Sequence, residues 1–128
     1  MKFRNEKHES DYKCVVDKMK KQDCQHQAIA YLLTLDEMVA SHIEEVFAIK
    51  EDMAMVATAL EKEWQTETSR VTTRLIFNLW RGHYKDFNEG KFPTSGYYTV
   101  VNVFRCKYAP YYWEAIKLYY PEYCNGGG

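Results

Sequence analysis

Four polar residues inside an apolar run are the first candidates for chemistry. From Trp64 to Tyr84 the chain reads WQTETSRVTTRLIFNLWRGHY, and Arg70, Arg74, Asn78 and Arg81 recur there at helical intervals. On a helix they form one seam, while Val71, Leu75 and Leu79 form another. An arginine fork binds carboxylate or phosphate through two parallel bonds, so the seam could hold an anion. Two structural readings compete with that. The seam could be the solvated basic face of an amphipathic helix, pairing with acids elsewhere. Alternatively, Arg74 and Asn78 could hold the end of a neighbouring helix by bonding its free carbonyls.

Other constellations are thinner. His8, His26, His42 and His83 fall on or near four different helices, which is how bundles build metal sites, and His42 has Glu45 one turn on. Yet Glu-x-x-His is not repeated and His-Glu-x-x-His is absent, so neither a metal nor another cofactor is expected. Cys14, Cys24, Cys106 and Cys124 form no CxxC pair and read as free thiols of a reducing cytosol. Cys24 and His26 are two apart, which on a helix points them in different directions. No glycine-rich phosphate loop occurs, and the expectation is a protein without catalytic activity.

The C-terminal part is rich in tyrosine. Eight of the eleven tyrosines lie after residue 96. Tyrosine buries a large area yet keeps a polar tip, and it is enriched at interfaces. From Pro110 onward a helix is expected, with Trp113, Ile116 and Tyr120 inward and Tyr111, Glu114 and Lys117 outward. That outer face, with Arg105 and Lys107 nearby, is the predicted recognition surface. It suits a protein partner or a stacked base. The sequence pI of about 6.4 weighs against a general nucleic-acid binder.

The elements that must position these groups are helical. Asn5 can cap a first helix whose stripe is Tyr12, Val15, Val16 and Met19, with His8 on its edge. Asp23 can cap a second, apolar nearly all round through Leu35 and therefore central. Asp36 opens a third, with Val39, Ile43, Val46 and Phe47 on one face. A fourth follows Asp52, with Met53, Val56, Ala57, Leu60 and Trp64 at helical spacing. Thr66, Thr68 and Ser69 are caps for the helix that carries the seam, and Gly82 is its stop. Residues 83–96 form one long loop around Gly90, Pro93 and Gly96. Residues 97–104 have strand composition but no partner strand, and the reading is a short helix capped by Thr99. Pro121 ends the last helix. The fold class is therefore all-α: one compact domain of five to seven helices over residues 1–125, with Trp64, Trp80 and Trp113 as core anchors. Gly126 to Gly128 read as a frayed tail or a cloning scar.

The chain has 128 residues and a net charge of −1, enough for one hydrophobic core. No apolar stretch reaches membrane-spanning length, and the polar start is not a secretory signal, so a cytoplasmic protein is expected. Its charges are sorted. Residues 1–22 carry seven Lys/Arg against four acids, residues 23–68 two against ten, and residues 69–128 eight against four. Such blocks can zip together in the fold or face a partner.

Three stretches carry a resemblance: Trp64-Gln65-Thr66 with Thr68-Ser69, then Arg74 to Trp80, then Tyr108 to Leu118 with Tyr119-Tyr120-Pro121-Glu122-Tyr123. With them the chain resembles a small family of uncharacterised proteins of Firmicutes and their phages and mobile elements. Glu67 stands where the resemblance leads one to expect glycine. The resemblance implies a bacterial or phage cytosolic protein and brings no activity with it. The expected function is an accessory protein that binds another protein, such as a host or defence component. Two alternatives remain: a nucleic-acid module using the arginine seam, and a small-molecule binder with a pocket walled by Trp64, Trp80 and tyrosines.

Overall fold

The computed structural model describes residues 1–92 and 96–124. Pro93 and the Gly126–Gly128 tail lie outside the described residues. The chain is mostly helical, with eight α-helical segments among the described residues and one small antiparallel hairpin. In order these are α1 (Glu6–Lys18), α2 (Cys24–Leu33), α3 (Glu37–Ala40), α4 (Ile43–Val46), β1 (Phe47–Ala48), β2 (Met53–Ala54), α5 (Glu67–Arg81), α6 (Val100–Phe104), α7 (Ala109–Tyr119) and α8 (Pro121–Cys124). Helix α2 is the centre. Ala28 to Leu33 are each fully buried, and α1, α5 and α7 pack around them. Being apolar on every side is what allows a helix to be covered on every side.

Side-chain caps decide where helices begin. The Asn5 carboxamide accepts the His8 amide at 2.8 Å. Asp23 accepts the His26 amide, and Asp36 accepts those of Met38 and Val39. Thr66 and Ser69 form a reciprocal capping box on α5. Gly82 ends α5 at φ 73°, a left-handed conformation that suits glycine. Gln25 of α2 donates to the carbonyl of Trp80 at 2.6 Å, so the last turn of α5 is closed by its neighbour.

Residues 36–64 differ from the expected pair of long helices. The third helix is split into α3 and α4 by Ser41 and His42, where His42 leaves helical geometry at φ −138° and ψ 38°. Phe47 begins a strand, paired with Ala54. The hairpin turns at Asp52, whose φ of 56° is the one positive value at a non-glycine among the described residues. The expected fourth helix is replaced by β2, a turn and a short 3₁₀ segment, Ala59–Glu61. Short turns satisfy the backbone locally here; Leu60 still reaches the core and Val56 and Trp64 pack on it, while Met53 and Ala57 of the expected stripe are exposed. Within residues 97–104 a short helix does form, α6 from Val100 to Phe104, with Thr99 accepting the Asn102 amide. Before it, Tyr97 makes an isolated bridge to Lys85, so the long loop folds back on itself. Past Pro121 the chain adds one further helical turn, α8.

The expected core anchors divide. Trp80 is buried, edge-on to Phe47 and His26. Trp64 is partly buried and stacks on the His42 ring at 4.4 Å. Trp113 is 49% exposed and does not anchor the core. On α7 the inward residues are Tyr112 and Ala115, with Tyr120 also exposed, so the helix is rotated from the expected facing.

His8 is buried between Phe3 and Tyr31. Its Nδ1 accepts the Arg4 amide at 3.0 Å, and its Nε2 lies 2.9 Å from the Tyr31 carbonyl. A neutral ring with its proton on Nε2 satisfies both contacts. Burial pushes its pKa below the usual imidazole value, with the Tyr31 carbonyl opposing and Arg4 adding to the shift. The unfolded chain therefore takes up this proton before the folded chain does. Stability from this site is full above the unfolded pKa of about 6.5 and falls as pH drops below it. Chemical melts between pH 8 and 5 are expected to show that loss, and His8→Gln is expected to flatten it. An unchanged pH slope in the variant would remove His8 as its source.

Candidate functional site

Helix α5 is amphipathic in an unusual way. Its middle residues, Thr72 to Phe77, are all buried, and Arg74 is among them. A guanidinium at 4% exposure needs a charge partner. Asp86 supplies it: Nε lies 3.0 Å from Oδ1 and Nη2 lies 2.9 Å from Oδ2, a two-pronged pair with both side chains about 5% exposed. Asn78, one turn on, donates to the His83 carbonyl at 3.0 Å. Arg74 and Asn78 thus fix the loop after their own helix. The bonding of a neighbour's free carbonyl falls instead to Gln25 at the end of α5 and to Arg4, which donates to the Leu35 carbonyl at 2.9 Å just past the end of α2.

The loop is drawn in by its own backbone as well. The Asp86 amide donates to the Gly96 carbonyl at 2.8 Å, and the Tyr98 amide donates to the Tyr84 carbonyl at 2.9 Å. A Cβ on Gly96 would lie 2.9 Å from Asp86 Oδ2, so the close approach requires glycine. The Tyr98 hydroxyl is buried beside Asp86, near enough to feel its charge but, among the described residues, with no hydrogen bond of good geometry. Burial first, and then the Asp86 charge, hold its proton on and push its pKa up.

Against this support lies a pocket of about 510 Å³. The first turns of α5 form one wall, with Glu67, Thr68, Val71 and Arg74. Helix α6 and the turn after it form the other, with Asn102, Arg105, Cys106 and Lys107. Behind Cys106, in the buried core, the Thr72 and Tyr112 hydroxyls are 2.7 Å apart, and Cys106 Sγ lies 3.5 Å from the same tyrosine oxygen. Burial pushes the Tyr112 pKa far up, so this hydroxyl stays protonated.

The predicted site residues therefore scatter. Arg74, Arg105 and Lys107 meet in one pocket. Arg70 turns away, bonding the Leu60 carbonyl at 3.2 Å and lying 4.2 Å from the centre of the Phe92 ring. Arg81 lies on the Trp80 ring at 3.9 Å and bonds that residue's carbonyl. The seam is thus not one continuous surface. Tyr111 is half-buried with the Lys2 ammonium 5.4 Å from its ring centre. Lys117 pairs with Glu114 at 2.6 Å and lines a separate hollow with Met1, Cys24 and Pro121. The histidines do not converge. His26 sits between Asp23 and Asp52, each 2.7 Å away, while His42 bonds the Met38 carbonyl and His83 faces Phe77. Among the described residues no group of three or more His, Cys, Asp or Glu is placed to hold a metal ion.

Asp86, Glu67, Asn102 and Cys106 are the site residues that sequence reasoning missed. A signal for Asp86 exists. Only four acids follow residue 68, and Asp86 is the first met after Gly82 reverses the chain. A buried arginine in mid-helix has few other partners within reach.

The chain belongs to the Family of unknown function (DUF6075), whose model matches residues 1–127. No curated protein and no solved structure matches it.

Breaking the buried pair by Arg74→Met or Asp86→Leu alone is expected to cost about 3–5 kcal/mol, because one charge is left buried without its partner. Replacing both together is expected to cost far less than the sum. A urea-melt double-mutant cycle reads this coupling. Additive losses would show that the pair does not hold the loop.

Proposed function

We propose that the protein is a small binding module that docks another protein on the surface around α6. The carrying observation is the apolar exposure there. Val100 is 74% and Val101 60% exposed on a helix of five residues, and the preceding Tyr97 is 52% exposed. Tyr84, also exposed, lies across the bridge that joins Lys85 to Tyr97. Soluble chains rarely leave such neighbours uncovered without a use for them. The surface continues into the pocket, because Val101 and Arg105 are one turn apart. The recognition region is thus moved from the outer face of α7 to α6, while Arg105 and Lys107 remain in it.

Among the described residues no helix is long and apolar enough to cross a membrane. A cytosolic accessory protein of a bacterium, phage or mobile element, acting on a host or defence component, is the setting this reading favours. Binding through the arginine seam to nucleic acid draws less support. Arg74 is committed to Asp86, and Arg70 and Arg81 lie against aromatic rings.

A photoreactive benzophenone side chain at position 101 is expected to form a discrete protein adduct in cells of the encoding organism. The same group at Asp17, exposed on α1, is expected to form none. Val100→Asp, an acid in the first turn of α6, is expected to abolish the adduct while leaving the melt within about 0.5 kcal/mol. Equal adducts from both positions, or one indifferent to Val100→Asp, would refute the docking surface.

A further inference from the structure

Pockets on this protein differ in how their cations are satisfied. Lys117 lines one hollow and is paired with Glu114; Lys85 lines another and is paired with Glu89. Arg74 is matched by Asp86. Arg105 and Lys107 line the largest of these pockets, and among the described residues neither lies within ion-pair distance of a carboxylate. Lys107 has its ammonium 5.2 Å from the Tyr108 ring centre, a contact that leaves its charge unneutralised. One acid, Glu67, stands on the opposite wall. With the Arg74–Asp86 pair counted as neutral, the pocket keeps a net positive charge of one.

We infer that this pocket receives an anionic side chain of the docked protein, a carboxylate or a phosphate, between Arg105 and Lys107. The inference rests on the docking surface proposed above and names the chemistry of its central contact. The volume, about 510 Å³, holds such a side chain with its water. Asn102 and Thr68 add neutral hydrogen-bonding groups on the two walls, and the exposed valines of α6 meet the apolar residues that flank the anion. Nucleic acid is the poorer fit, because two cations in a recess do not track a run of phosphates. Glu67 repels the incoming anion and limits affinity, which gives the site a predicted response in both directions.

The test uses the full chain and three fluorescein-labelled peptides of one sequence, with glutamate, phosphoserine or serine at the centre. Fluorescence anisotropy reads the affinity at low and physiological salt. The two anionic peptides are expected to bind, more weakly as salt rises, and the serine peptide about tenfold less well. Arg105→Gln with Lys107→Gln is expected to weaken the anionic peptides about tenfold, and Glu67→Gln to tighten them about threefold. Preference for phosphoserine identifies a phosphorylated partner, and parity or preference for glutamate an acidic one; either supports the inference. Equal binding of all three peptides, no binding of the anionic pair, or indifference to both sets of variants overturns it. The two proposals fail separately. An adduct at position 101 that survives the Arg105/Lys107 double variant keeps the docking surface and removes the anion. Peptide binding without any adduct does the reverse.

Discussion

The Arg74–Asp86 pair is the constraint on which the rest of the structure turns. Arg74 sits in the middle of α5 with buried residues on both sides of it in sequence, where an isolated charge is not tolerated. Its partner lies in a loop, so the loop must come to the helix. Asp86 then fixes the strand-like return by giving its amide to Gly96, and Gly96 lies close enough to the carboxylate that a side chain there would collide with it. From Gly96 the chain has only three residues before α6 begins. The position of α6, and with it the far wall of the pocket, follows from one ion pair. That pair need not add net stability over an apolar replacement; its role is to specify where the loop goes.

Sequence legibility followed the range of the interaction. Caps were readable because Asn5, Asp23, Asp36, Thr66 and Thr99 each act on amides two or three residues away. The central place of α2 was readable because its residues are apolar on all sides. Residues 36–64 were misread because helical spacing does not require a continuous helix. Val39, Ile43 and Val46 keep their intervals across two separate short helices, and all three pack on the core or in it. The turn at Asp52 carries no glycine to announce it, and its side chain is held by His26 from α2.

The facing of α7 shows the same limit in another form. Trp113, Ile116 and Tyr120 are as well spaced as Tyr108, Tyr112, Ala115 and Tyr119, and apolar weight favours the first set. The second set goes inward. Alanine lets helices approach closely, and α2 presents Ala28 and Ala30, both fully buried, to its neighbours. Tyr112 can be fully buried because Thr72 of α5 meets its hydroxyl. Trp113 has no such arrangement, and a wedge of that size would hold α7 off the central helix. Polar satisfaction across helices decided the facing, and a single sequence does not display it.

Charge tells how the pieces relate to a partner. An acidic middle between two basic ends could have neutralised itself in the fold. Among the described residues only Arg4–Glu37 and Lys91–Glu61 pair a basic end with the acidic middle directly; the other lysine and arginine pairs are made within a block. Folding therefore leaves the blocks largely as the sequence wrote them. The basic surplus of the last third is concentrated by geometry, since Arg105 and Lys107 flank a recess rather than standing alone on a convex surface. A recess with low-dielectric walls strengthens each charge relative to the same charge in open water. Among the described residues these two cations have no carboxylate partner, at the place where pairing by an outside group would gain most. The valines beside them supply the apolar contact that such a group would bring with it.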